Sequence, residues 1–122
     1  VELLGLGDAV VTPPEDRTHS VYVVQLASAV RETPKVQKRN PDAHADMPCV
    51  YVGSTGKSPY ERFLTHMQGG QSSVALVHEH GMRLLPALYS HLNAMTELEA
   101  LLREDSLAKF LRRQGYWVVG GH

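Results

Sequence analysis

At 122 residues the chain has the length of one domain, since domains commonly run about 100–150 residues, and its 43% hydrophobic content is enough for one core. A formal net charge of −1 gives no basis for inferring a polyanionic partner from composition, so any nucleic-acid contact has to be argued from local charge. One cysteine, Cys49, excludes a disulfide framework and every metal site built on several thiolates, and the absence of a run of about 18 apolar residues argues against a transmembrane helix.

The opening Val1-Glu2-Leu3-Leu4-Gly5 has neither a basic start nor a long apolar segment, so the reading is of an intracellular, cytoplasmic chain without a signal peptide. It begins with Val rather than Met, which is compatible with a piece of a longer protein. Residues 1–19 read as an N-terminal extension that includes a Pro-rich turn or linker at 12–16. The first predicted strand is Ser20–Leu26, dense in β-branched and aromatic residues. Residues 31–48 follow, polar, charged and broken by Pro34, Pro41 and Pro48, a composition expected of a long, partly mobile loop or insertion. Its basic members, Arg31, Lys35, Lys38 and Arg39, form the densest positive cluster in the chain.

Cys49-Val50-Tyr51-Val52 is the second predicted strand, closed by Gly53, and the turn Gly53-Ser54-Thr55-Gly56-Lys57 leads into a helix. Ser58 is placed to cap it, Pro59 suits the first helical position, and Glu61 completes a capping box. Gly69-Gly70 ends that helix. Residues 72–80 read as a second short helix closed by Gly81, and residues 84–89 as a short strand that Pro86 confines to an edge. Thr96-Glu97-Leu98-Glu99 is a second capping box, opening the longest helix, which runs to about Arg113, and Trp117-Val118-Val119 supplies a last strand. The order of elements predicts an α+β domain.

Within the long helix, Ala100, Leu101, Ala108 and Leu111 share one face, and Glu104 falls in the middle of it. A carboxylate among core-facing positions needs a basic partner, a proton, a divalent cation or a route to water. Arg62 and His66 lie four residues apart on the capped helix and therefore share a face. Such a pair suits a phosphate, the guanidinium by its permanent planar charge and the imidazole by its proton, as well as an ordinary solvent-facing surface. Tyr22 and Tyr51 stand in neighbouring strands and can project to one side of the sheet, with Tyr60 and Tyr89 as weaker candidates. Two other patterns fail. The Gly56-Lys57-Ser58 triplet lacks the glycine five residues earlier that a phosphate-binding loop requires, and His78-Glu79-His80 lacks the spacing of a zinc helix.

These residues in this order resemble the GIY-YIG nuclease family. Ser20-Val21-Tyr22 is similar to a first motif that keeps its tyrosine, and Tyr51-Val52-Gly53 is similar to the second, with Val for Ile. The run Tyr51-Val52-Gly53-Ser54-Thr55, then Arg62 and His66, is similar to the family's Y-[IV]-G-S-x…R-x-x-x-H pattern. Residues 97–107 are similar to its E-x-E-A-L-x-x-E-x-x-L helix, and there the match falls on Glu104 as metal ligand. The resemblance implies a small α+β fold, a mixed or antiparallel sheet of about three strands flanked by helices, over residues 20–119, with 31–48 as an insertion. It also implies a divalent-metal-dependent endonuclease that hydrolyses DNA phosphodiester bonds. Tyr22, Tyr51, Arg62, His66 and Glu104 would be catalytic, with Tyr22 activating the water, Tyr51 orienting water or phosphate, Arg62 neutralising charge, and His66 assisting proton transfer or clamping the phosphate. Mg²⁺ or Mn²⁺ would sit on Glu104, and Lys57, Gly53, Lys35, Lys38 and Arg39 would contact DNA. The family's late asparagine has no counterpart after Gly115, Asn93 being a weak substitute. A catalytically inactive module of the same fold, binding nucleic acid or a protein, is the alternative reading. A chain this short fits either a dimer or one part of a larger protein.

Overall fold

The computed structural model describes residues 14–71 and 73–121. The expected N-terminal extension therefore lies outside the described residues as far as residue 13, as does Ser72 at the start of the second predicted helix. Four strands form: β1 (Ser20–Leu26), β2 (Cys49–Thr55), β3 (Gly81–Leu84) and β4 (Trp117–Gly120). Four α-helices accompany them: α1 (Pro34–Arg39), α2 (Pro59–Gln68), α3 (Ala75–His80) and α4 (Glu97–Arg113). Both capping boxes close as the sequence requires, Ser58 with Glu61 on α2 and Thr96 with Glu99 on α4. No helix among the described residues is long and apolar enough to cross a membrane.

The sheet order is β3-β1-β2-β4. β1 runs antiparallel to β2 and to β3, while β2 and β4 are parallel. The fold is thus α+β, a four-stranded mixed sheet flanked by helices. Register decides which side chains meet, because alternate residues share a face. Tyr22 lies opposite Gly53 and Val24 opposite Tyr51, so both phenols belong to one face, which α2 covers. Val21, Val23, Val50, Val52 and Val118 belong to the other. There Ser54 reaches Glu104 and Val52 lies beside Gly121 and Ala108, so α4 covers this side with Ala100, Leu107, Ala108 and Leu111 buried.

Three expectations need correction. Strand β2 runs on through Gly53-Ser54-Thr55, which read as the start of a turn. Residues 31–48 are a loop only at 40–48. A 3-10 turn at Ser28–Glu32 and helix α1 occupy the first part, because Val30 and Val36 are each buried and anchor one polar turn apiece. At the end of α1, buried Asn40 uses its whole amide. Its Nδ2 donates to the carbonyls of Val36 and Val118, and its Oδ1 accepts from Val118 N and Arg112 Nε. The third strand is Gly81–Leu84 rather than 84–89. Pro86 has no N–H to give a ladder, and Pro86–Leu88 forms a 3-10 turn instead.

Candidate functional site

Tyr22 enters from β1, Tyr51 from β2, and Arg62 and His66 from successive turns of α2. The Tyr22 hydroxyl and His66 Nε2 are 2.8 Å apart. Ring centroids are separated by 6.1 Å for Tyr22–Tyr51, 6.0 Å for Tyr22–His66 and 5.8 Å for Tyr51–His66, so the three rings make one mutually contacting set. Gly53 permits this closeness. A Cβ built there would lie 2.7 Å from the Tyr22 hydroxyl and 2.9 Å from the Tyr51 ring, so any other residue would force the phenols apart. Gly53, expected to touch substrate, is instead buried between the rings and acts by lacking a side chain.

The His66 ring is fully buried, and its protonation can be read from its neighbours. The backbone N–H of Val74, just before α3, donates to Nδ1 at 3.1 Å. A nitrogen that accepts carries no proton, so the neutral ring holds its proton on Nε2 and donates it to the Tyr22 oxygen. Burial first, and then the charge of Arg62, pushes His66 down to about 4. The ring offers no open edge to a phosphate and stays neutral at ordinary pH. The phosphate clamp and proton shuttle expected of it give way to a fixed hydrogen bond that orients Tyr22.

Both phenols are held above the usual tyrosine range. For Tyr22 burial dominates, the negative charge of an ionised Tyr51 adds to it, and Arg62 opposes both. Tyr51 is raised by burial and by the charge of Glu104, with Arg62 and the Tyr22 hydroxyl pulling it back. The field of Arg62 thus acts on Tyr22, Tyr51 and His66 alike, and that of Glu104 reaches Tyr51. Tyr22 is almost completely enclosed and Tyr51 only partly, so Tyr51 is the phenol with access to solvent.

Glu104 is 7% exposed, as its position on the core face of the helix predicted. Its Oε1 accepts from Ser54 Oγ at 2.7 Å. Ser54 stood in the sequence only as part of the matched Tyr51–Thr55 run and was given no role; as a strand residue next to Gly53 it faces the α4 side. Among the described residues no three His, Cys, Asp or Glu side chains gather. A hard cation at Glu104 would therefore take one carboxylate from the protein and further oxygens from substrate and water, a donor set that fits Mg²⁺ or Mn²⁺ bound together with a phosphate.

The remaining expected contacts are spread out. Lys57 is exposed on the turn before α2, its backbone N–H bonded to Thr55 Oγ1 at 3.0 Å. Lys35, Lys38 and Arg39 are exposed on α1, and of these Lys35 and Arg39 line an open groove beside β4. Asn93 does not present its amide to a substrate. Its Oδ1 accepts from Val21 N at 2.9 Å and its Nδ2 donates to Val21 O at 2.8 Å, so both ends are spent on β1. No protein-family model, no curated protein and no solved structure matches this chain.

Proposed function

We propose that the protein is a divalent-metal-dependent DNA endonuclease of the GIY-YIG type. The reading is supported by one observation: β1, β2 and α2 bring two phenols against a neutral imidazole within the field of Arg62, and the charge of Glu104, on the α4 side of the sheet, reaches Tyr51. Binding alone needs no such set.

Glu104, backed by Ser54, would hold Mg²⁺ or Mn²⁺, and such a cation supplies charge neutralisation at the phosphate and a more acidic bound water. Arg62 sets a permanent positive charge against the negative charge that grows on the phosphorus oxygens. The division of work between the tyrosines follows from burial. Tyr22 is the more strongly raised phenol and keeps its proton, so it positions by donating. Tyr51 also carries its proton at neutral pH, since burial and Glu104 outweigh the Tyr22 hydroxyl and Arg62. It would take the proton of the attacking water, the role expected of Tyr22, only as a phenolate, after its own proton has passed to solvent under the pull of Arg62 and a bound cation, with Tyr22, oriented by His66, holding it in place.

Nicking of plasmid DNA tests this directly. The wild-type chain should cut with Mg²⁺ or Mn²⁺ and stop on addition of EDTA. Glu104→Ala and Arg62→Ala should each lose roughly 10²–10³ in rate. Cutting that survives EDTA, or a Glu104→Ala variant as active as wild type, would overturn the proposal. The near-complete enclosure of Tyr22 and His66 favours one other reading, an inactive module of this fold. DNA binding with no cleavage in any divalent cation would select it.

A further inference from the structure

The groove beside β4 begins at the site. Val119 pairs with Tyr51 across the parallel β2–β4 ladder. Gly120 packs so closely on the Tyr51 ring that a Cβ there would stand 2.8 Å from it, and with φ at +77° the position favours glycine on conformational grounds as well. Val119 and Gly120, with Val36, Leu76 and Val118, make an apolar floor, and Lys35 and Arg39 stand over it. The open space is about 270 Å³.

Arg39 also borders a second groove, of about 440 Å³, where it faces Arg112, Arg113 and Tyr116, with Asp42 as the acid. Burial and the charge of Arg39 both push Arg112 downward, and Asp105, which opposes them, is itself ion-paired to Lys109 at 2.9 Å. Among the described residues Arg39 and Arg113 make no ion pair. Basic residues are favoured at helix C-termini, which accounts for a cation at the end of α1 or of α4 taken singly. It does not account for two helices bringing their cations side by side. Arg112 is eight residues beyond Glu104 on the same helix, about 12 Å along its axis, the reach of a few nucleotides.

We infer that the substrate strand leaves the reacting phosphate unpaired, laying a base on the apolar floor of Val36, Leu76 and Val119 and its phosphates against Lys35, Arg39 and then Arg113. The inference rests on the proposed nuclease reading and specifies its substrate as DNA that is single-stranded on one side of the cut, such as a flap, gap edge or overhang. A duplex offers phosphates to the cations but keeps its bases stacked away from the floor. An unstacked base has an apolar face to offer it.

The test uses fluorescence anisotropy in EDTA, so that binding is read without cleavage, with a short labelled single strand and the duplex of the same sequence. The single strand should bind about tenfold or more tighter, and Lys35→Glu with Arg39→Glu should weaken it by about tenfold or more. Leu76→Ser should weaken the single strand and leave the duplex unchanged. Thermal melts confirm that these largely surface changes preserve the fold. A duplex bound as well as the single strand, charge reversals that leave affinity within about twofold, or no binding of either DNA, overturns the track. Cleavage in Mg²⁺ is a separate readout. Cutting of duplex without single-strand preference sinks the track and spares the nuclease. Single-strand binding that obeys the variants without any cutting does the reverse.

Discussion

His66 has a partner on each ring nitrogen, Val74 N–H on one side and the Tyr22 oxygen on the other, and gaining a second proton would break the first of these bonds. Its folded-state value lies at about 4, below the ordinary 6.5. The unfolded chain therefore takes up a proton at this residue before the folded chain does. Stability from the neutral ring is complete above about pH 6.5 and is lost as pH falls towards about 4, on the order of 3 kcal/mol over the window. Denaturant melts across this range should show the loss in the wild type. In His66→Gln, which keeps a donor and an acceptor, the loss should be smaller by that amount. Equal slopes in the two proteins would mean that the imidazole is not what is held neutral. The burial of Glu104 was legible in the sequence because a helix exposes its face pattern and a charge in that pattern stands out. The environment of His66 was not. R-x-x-x-H says only that two side chains share a face, and the Val74 amide that fixes the tautomer comes from a different helix. Gly53 was legible as a required residue and misread in purpose, because a missing Cβ looks the same in sequence whether it admits a ligand or two neighbouring rings.

Among the elements, the two capped helices and β1 followed their local signals, Ser58-Pro59 and Thr96 at the helix starts and the Val-rich run in the strand, whereas β2 began as expected but passed through Gly53, which read as its end, to Thr55. β3 did not, because exposed Met82 and Arg83 carry no alternation, whereas the apolar stretch after it imitates a strand that Pro86 forbids. The segment from residue 31 to 48 read as a loop because its few apolar anchors lie far apart and its decisive residue is polar. Asn40 bonds both backbone groups of Val118 and takes the place of a neighbouring strand at the outer edge of β4. Removing it strands the Val118 amide and leaves Arg112 only its bond to the Val118 carbonyl. Asn40→Ala should therefore cost about 2–3 kcal/mol and lower the melting temperature by roughly 10 °C or more. A variant melting within about two degrees of wild type would show that β4 is held without the clamp.

On the scale of the whole molecule, a net charge of −1 supplies no general attraction for DNA, so binding has to come from a few placed cations. If Arg62, Lys35, Arg39 and Arg113 neutralise about four phosphates of an unpaired strand, log K should fall with log salt at a slope of about −3. A slope near zero would mean that this line of cations is not in use, and one much steeper would point to a wider interface. The proposed chemistry also depends on parts far apart in the chain: the Tyr22–His66 bond joins residues 44 apart, Ser54–Glu104 residues 50 apart, and Asn40–Val118 residues 78 apart. The acid is supplied by the last helix and the wall of the groove by the last strand. During synthesis, a ribosome-bound intermediate that stops short of residue 97 holds both tyrosines, the guanidinium and the imidazole, but not Glu104. On the proposed function, the growing polypeptide stays harmless to nearby DNA until α4 has been made and has docked on β2, a safeguard that comes from the order of translation.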